Sequence, residues 1–556
     1  MRKYLLFTVI LVTVPAFAQD PYATANCEQD ISEYWLEVGN VNARIFNNAP
    51  IGWRPNANSS GYFVPPEETA SPLFTSSFIA AGQINDELRV AGSSYGPYEM
   101  WPGPVPSGEA ANWDCTPFNR FWMLDRQTDF QPSDAVPDPT QAILNWPVDL
   151  GAPFIDRNGV PGYQPEEGDY PVMFGDRQLW WIMNDRGNDH TRFNTDPLGI
   201  EVRASAFGFD AQNDLGNVTF YRYEVTNRGP EIIHDLTLGM YADLQIGFYN
   251  DDRAGTDTTL AMWYQFNSDN EDEGKMDGYG SSPPAAGFAV MDLRHSAGTL
   301  PSDFDLPPSH NLAATAFMGG GGAVGDPGNA TQLYNVMTGR WKDGSIRREG
   351  GRWGHESFGG TGKPMPFFMP GDPLTGAFWS ELNIDGNGTA MEPLWRTGIM
   401  ATPTFDLGPD EWASVTFALV WARGSDHMDA VTQLRHVASG LHDTAHALLA
   451  PRELKPPLFQ DGNPPENPNY PFWVDDPWPN PASDRLSLNA SFHKSGPVTV
   501  RIVDGLGRIR IRKSLRIDQA GTQDLNLDIS SLPSGSYMIS VESWSRRTSH
   551  SFVVLR

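Results

Sequence analysis

Cysteine is almost missing from this chain: Cys27 and Cys115 are the only 2 in 556 residues. So few thiols exclude a disulfide-dense scaffold. With no CxxC and no histidine cluster beside either one, they also argue against a thiolate zinc site. In an exported chain the two read as one disulfide, worth roughly 4 kcal/mol through loop closure; the alternative is two buried thiols. Positive charge is scarce as well. Lys and Arg number 39 against 68 Asp and Glu, a net charge of -29. Such a surface repels nucleic acid and anionic membranes, so no nucleic-acid partner is expected. Long apolar runs are absent after the first residues, so no later window spans a bilayer as a helix. Helical periodicity is rare too, while 54 Gly, 47 Pro and 12% aromatics suit strands joined by tight turns.

The one early apolar run is Tyr4 to Val14, preceded by Met-Arg-Lys and followed by Ala16-Phe-Ala18. A basic start, a short apolar stretch and a small-x-small site are what a secretory signal peptide requires, so residues 1–18 are expected to be removed and Gln19 to begin the mature chain. Residues 19–455 read as a β-rich ectodomain. Phe220 to Thr226 alternates with Tyr221, Tyr223 and Val225 on one face, and His234 to Met240 alternates with Leu236, Leu238 and Met240. The Asn-Arg-Gly-Pro corner at Asn227 between them predicts a hairpin. Residues 283–370, rich in glycine and poor in periodicity, are expected to be long surface loops. One helix is predicted after Ser425 or Asp426 as N-cap, with Val431, Leu434, Leu441 and Leu448 on one face. A proline-rich linker over 456–477 then precedes a last unit, 478–556.

That last unit differs in charge. From Ala482 to Arg556 there are 11 Lys and Arg against 6 Asp and Glu, so +5 where the remainder carries -34. Its short alternating strands, among them Leu486/Leu488, Ile509/Ile511 and Tyr537/Ile539/Val541, predict a small β-sandwich. The predicted fold class is therefore mostly β: a large ectodomain of two packed sandwich-like lobes with long loops and one C-terminal helix, plus this small sandwich.

Three blocks in the unit carry a resemblance. They are Trp478-Pro479-Asn480-Pro481, Asp504-Gly505-Leu506-Gly507 and Gly535-Ser536-Tyr537. In that order they resemble the type A C-terminal sorting domain of type IX secretion cargo from Bacteroidota and relatives. The resemblance implies passage to the periplasm, then recognition by the outer-membrane translocon and its sorting peptidase. It also implies a cell-surface or secreted destination, with lipopolysaccharide as an anchor in many members. More faintly, the ectodomain resembles large uncharacterised secreted proteins that carry the same sorting domain.

Two acidic groups invite a cation. Asp243, Asp251, Asp252 and Asp257 crowd one stretch, with Arg253 as the alternative counter-ion. Glu381, Asn383, Asp385 and Glu392 fall at positions 1, 3, 5 and 12 of a Ca²⁺ loop with Gly386 at position 6, against the alternative of a solvated turn. Calcium is the expected cofactor of both. Asp156 and Glu167 make a poorer second loop. His442 and His446 mimic a zinc-protease helix without an obvious third ligand, and Ser94 sits in a G-x-S-x-G that the following prolines keep from being a nucleophile elbow. The expected role is adhesion, glycan binding or envelope structure. The alternative is a secreted hydrolase of polysaccharide or protein with its site among the acidic loops.

Overall fold

The computed structural model describes residues 31–54, 57–92, 95, 99–105, 115–129, 140–156, 161–165, 169–187, 189–273, 278–296, 313–317, 322–450, 472–474, 477–492, 495–504, 508–519, 521–543 and 546–556. Its principal ectodomain strands are β1 (Leu73–Ile84), β2 (Glu87–Gly92), β3 (Arg177–Asn184), β4 (Ile200–Gly208), β5 (Val218–Asn227), β6 (Ile233–Leu244), β7 (Asp252–Asp257), β8 (Met262–Asn267), β9 (Ala285–His295), β10 (Ala313–Phe317), β11 (Thr397–Ala401) and β12 (Trp412–Ala422). Two helices matter to the argument, α1 (Ala330–Met337) and α2 (His427–Leu448). The chain is mostly β, as its composition suggests.

A 9-stranded antiparallel sheet runs β7-β8-β9-β12-β5-β4-β3 and ends on two short strands, Trp101–Pro102 and Trp122–Asp125. A 6-stranded sheet runs β10-β11-β6-β1-β2, with Phe405–Leu407 also paired to β6. The sheets face each other across one core, where Phe78 of β1 stacks on Tyr223 of β5 with ring centroids 4.5 Å apart. The ectodomain is thus a single sandwich whose two sheets share a core, where the sequence suggested two lobes. On the far side of the large sheet, Phe220, Met262, Tyr264 and Ala418 pack against Val431, Leu434 and Leu441 of α2. Asp426 caps that helix by accepting from the amides of Met428 and Asp429, at 3.0 and 2.8 Å.

The expected hairpin is a crossover. Strand β5 pairs with β4 and β12, whereas β6 pairs with β1, β11 and Phe405–Leu407, so the corner at Asn227 carries the chain from one sheet to the other. The faces were read correctly, since Tyr221, Tyr223, Leu236 and Leu238 all enter the shared core. Asn227 holds the corner: its side chain donates to the carbonyls of Glu231 (2.8 Å) and Leu407 (2.9 Å) and accepts from the amide of Gly229 (2.8 Å).

Residues 283–370 are not surface loops throughout. They include β9, buried on both faces in the middle of the large sheet, and α1. Beyond α1 the chain buries Trp341, Trp353, Phe368 and Trp379. This irregular layer lies against the small sheet: a Cβ on Gly239 of β6 would stand 3.0 Å from the Met337 methyl of α1. Trp180 and Trp181 point to opposite faces of β3 and both are buried, in separate clusters.

The C-terminal unit is a sandwich of a 3-stranded and a 4-stranded sheet around Leu488, Val500, Ile502, Leu527, Ile539 and Phe552. Its first strand, Phe472–Val474, comes from the stretch expected to be linker, and Ile509, expected inside, is 55% exposed. Residues 456–471 and 475–476 of the linker lie outside the described residues, as does the signal peptide. The unit touches the ectodomain. Val553 and Leu555 join the cluster under α2, His436 Nε2 lies 3.1 Å from the Arg556 carbonyl oxygen, and Asn213 Nδ2 donates to that of Leu555 at 3.1 Å.

Candidate functional site

Asp243 sits near the end of β6, opposite Thr75 of β1, where the small sheet gives way to loops. Three neighbours donate to its carboxylate: Trp395 Nε1 at 2.7 Å, Gln245 Nε2 at 3.1 Å and the Tyr95 hydroxyl. Burial pushes its pKa up to about 7, although those three donors pull the other way. The consequence is a carboxyl that fixes two aromatic rings.

Those rings belong to a larger set. Tyr95 meets Trp53 edge-on at 6.4 Å, Phe74 at 6.2 Å and Tyr241 at 6.0 Å between centroids. Trp395 meets Tyr249 at 6.4 Å, which meets Phe248 at 5.4 Å. Tyr241 is buried, but Trp53, Phe74, Tyr95, Phe248 and Trp395 are half-buried and Tyr249 is 43% exposed. The rings leave partly covered aromatic surface where the small sheet gives way to its loops.

Buried acids hold the loop that carries two of these rings. Asp252 accepts from the Ile246 amide at 2.9 Å, and Asp272 accepts from the amides of Phe248 at 3.0 Å and Tyr279 at 2.6 Å. Burial, with Asp251 and Asp272 adding like charge, raises Asp252 well above the usual carboxylate range. Asp251 is raised to about 6, chiefly by desolvation. Arg253 is not their counter-ion: its Nη1 donates to the Met391 carbonyl at 2.6 Å.

The side chains read as calcium ligands do not form one coordination shell. Asp257 pairs with Arg435 Nε at 3.0 Å and accepts from the amides of Thr259 and Leu260, tying α2 to the β7–β8 turn. Glu381 faces Arg396, at 2.9 and 3.2 Å, with both groups fully buried. Asp385 accepts from its own loop, the Asn387 amide at 2.8 Å and the Thr389 hydroxyl at 2.7 Å. Asn383 donates to the Gly376 carbonyl at 2.7 Å, and Glu392 is exposed. Among the described residues no three His, Cys, Asp or Glu side chains are gathered as a cation requires. For Asp257, Glu381 and Asp385 the cause is physical: arginines and groups of their own loops already satisfy these carboxylates.

Other candidates divide similarly. Cys115 is disulfide-bonded, and the only other cysteine is Cys27, outside the described residues. His442 Nε2 lies 2.8 Å from the Leu260 carbonyl, a contact that requires the ring nitrogen to donate and removes it from metal binding. The side chain of His446, and Ser94, Asn158 and Glu167, lie outside the described residues.

In the C-terminal unit, Asn480 accepts from the Val553 amide at 2.9 Å, and Asp504 accepts from Arg508 at 3.0 Å (amide) and 2.8 Å (Nε). Tyr537 donates to the Pro533 carbonyl at 2.9 Å, and Gly535 has a φ of 156°. Pro479 and Pro481 each follow a cis peptide bond. Gly505 and Gly507 lie outside the described residues. These motif positions close turns and edges of the small sandwich. Residues 477–555 match the family model for a secretion system C-terminal sorting domain. The chain is type IX secretion cargo. The cargo is therefore exported to the cell surface or released, through recognition of this domain by the type IX machinery. No helix among its described residues is long and apolar enough to cross a membrane.

No curated protein matches the cargo significantly in sequence. Among solved structures, a polysaccharide lyase is similar at 10% identity and a TM-score of 0.18, over 64% of this chain and 34% of that one. The dimeric latent PorU from Porphyromonas gingivalis is similar at 10% identity and a TM-score of 0.15, over 68% and 31%. The cargo spans about a third of the length of either. Both scores lie below those of a shared fold.

Sequence reasoning singled out Asp243 as a calcium ligand and missed the rings around it. Trp53, Phe74, Tyr95, Tyr249 and Trp395 come from well-separated segments, and no local pattern links them.

Proposed function

We propose that the cargo is a non-catalytic glycan-binding protein of the cell surface, and that the aromatic surface around Asp243 is where sugar binds. The half-exposed rings held by one buried carboxyl carry this reading. Pyranose rings present flat C–H faces that stack on aromatic side chains, and a pre-fixed platform avoids the entropy of ordering rings on binding. Trp395 and Tyr95 are fixed by their bonds to Asp243, and Tyr249 by its loop, which Asp252 and Asp272 anchor.

Affinity electrophoresis of full-length cargo through gels containing neutral polysaccharides tests this. The wild type is expected to be retarded by at least one glycan, with Trp395→Ala and Tyr249→Ala abolishing the retardation and leaving the circular dichroism spectrum unchanged. Retention by the variants equal to the wild type would refute the site. Release of reducing ends from the retarding glycan would favour the hydrolase reading instead.

A further inference from the structure

On the large sheet's outer face, lined by Leu449 just past α2 and by Trp180, lies a cleft of about 200 Å³ with a wall unlike the rest of this acidic chain. Arg203, Arg222 and Arg294 line it with a single carboxylate, Glu224, in a chain of net charge -29. Strand register makes the wall. Ser205, Arg222 and Thr416 stand directly opposite one another on β4, β5 and β12, and Arg203, Glu224 and Ser414 form the next row. All point away from the shared core, since Tyr221 and Tyr223 on the same strand point into it.

The three arginines are not equally committed. Arg203 is held by Glu224 at 3.2 Å and Glu201 at 3.5 Å, and Arg294 by Asp292 at 2.7 Å. Among the described residues Arg222, between them and mostly buried, has a long bond of 3.4 Å to the Ser414 hydroxyl, with Asp292 at 3.9 Å and the Glu224 charge nearby. A guanidinium has five N–H donors in a planar fork, so most of those on Arg222 remain to be used. Its flat face lies 5.3 Å over the Phe174 ring, which fixes the direction of the fork, and Trp180 closes the apolar side of the cleft.

We infer that this cleft binds the carboxylate of an acidic monosaccharide, a hexuronate or a ligand of that size, with Arg222 receiving the carboxylate. Arg–carboxylate pairing is bidentate and charge-assisted, and Ser205 and Arg294 stand beside it as further donors. The sugar ring lies against Phe174 and Trp180. The volume is of the order of one sugar ring. The site lies on a different sheet from the aromatic surface around Asp243 and does not depend on it.

Isothermal titration of full-length cargo with D-glucuronate, D-glucose and inorganic phosphate is the test. Glucuronate is expected to bind, glucose not to bind, and rising salt to weaken the glucuronate signal. Arg222→Gln is expected to lower affinity about tenfold or more, the loss of a charge-assisted pair. Arg294→Gln, at a side chain 47% exposed, is expected to weaken binding by a smaller factor. Trp395→Ala is expected to leave it unchanged, which separates this site from the platform. Equal binding of glucose and glucuronate, or wild-type affinity in Arg294→Gln together with a folded Arg222→Gln, would overturn the inference. If Arg222→Gln does not fold, wild-type affinity in Arg294→Gln overturns it alone. Phosphate binding tighter than glucuronate would overturn the carboxylate assignment.

Discussion

Glu381→Gln isolates the difference between a buried ion pair and a cation ligand. In the folded chain Glu381 and Arg396 are both fully buried, joined by two hydrogen bonds, and the guanidinium lies 5.0 Å over the Trp353 ring. The other acceptors of Arg396 are the carbonyls of Trp395 and Glu392, each at 3.4 Å. Neutralising Glu381 leaves an uncompensated buried cation, a loss of about 3–5 kcal/mol. For a cooperative unit of roughly 400 residues, with an unfolding entropy of about 2.1 cal/mol/K per residue, that is a fall of about 4–6 °C in Tm. Thermal and urea unfolding of the cargo with excess EDTA and with millimolar calcium measures both quantities. The double variant Glu381→Leu with Arg396→Met is expected to recover most of the loss, because no charge then remains to be desolvated. A loss under about 1 kcal/mol in Glu381→Gln would refute the pair. So would a wild-type Tm that rises with calcium and ceases to do so in the variant, since mass action then assigns Glu381 to an ion.

Two further outcomes are expected. Asp243 has a folded pKa of about 7, above its ordinary value, so the native state holds a proton that the unfolded state has released. Its stabilising contribution is present below about pH 4 and lost as pH rises through about 7. Urea unfolding at pH 5 and pH 8 should show the wild type losing stability, and Asp243→Asn losing less; an equal loss would place the titration elsewhere. Deleting residues 477–556 removes the sorting domain and is expected to leave the ectodomain in the periplasm on fractionation, surface display being the contrary result.

What the sequence shows and what it hides follow from how far each signal reaches. The helix α2 was legible because its period, its Asp426 cap and its apolar stripe are all local. The corner at Asn227 was misread because alternation tells which side of a strand is apolar and not which strand lies beside it. A hairpin and a crossover between facing sheets put Tyr223 and Leu238 into the same core. Strand β9 was invisible for a related reason. Its Ala285-Ala-Gly-Phe-Ala-Val290 run is buried on both faces, so no polar alternation marks it. At the acidic loops the spacing was real, but spacing cannot show that Arg396 stands across from Glu381. The cleft at Arg222 needed strand register, which brings together residues from β4, β5 and β12.

The placement of Leu555 seats the sorting domain against α2. Its side chain lies 3.4 Å from where a Cβ on Gly440 of α2 would be, and with Val553 it contributes apolar burial worth about 3–6 kcal/mol. Between separate molecules that energy corresponds to a dissociation constant between millimolar and tens of micromolar. Were the sorting domain lost, the flank of α2 beside Gly440 would be uncovered, and a seam that is buried here would become surface.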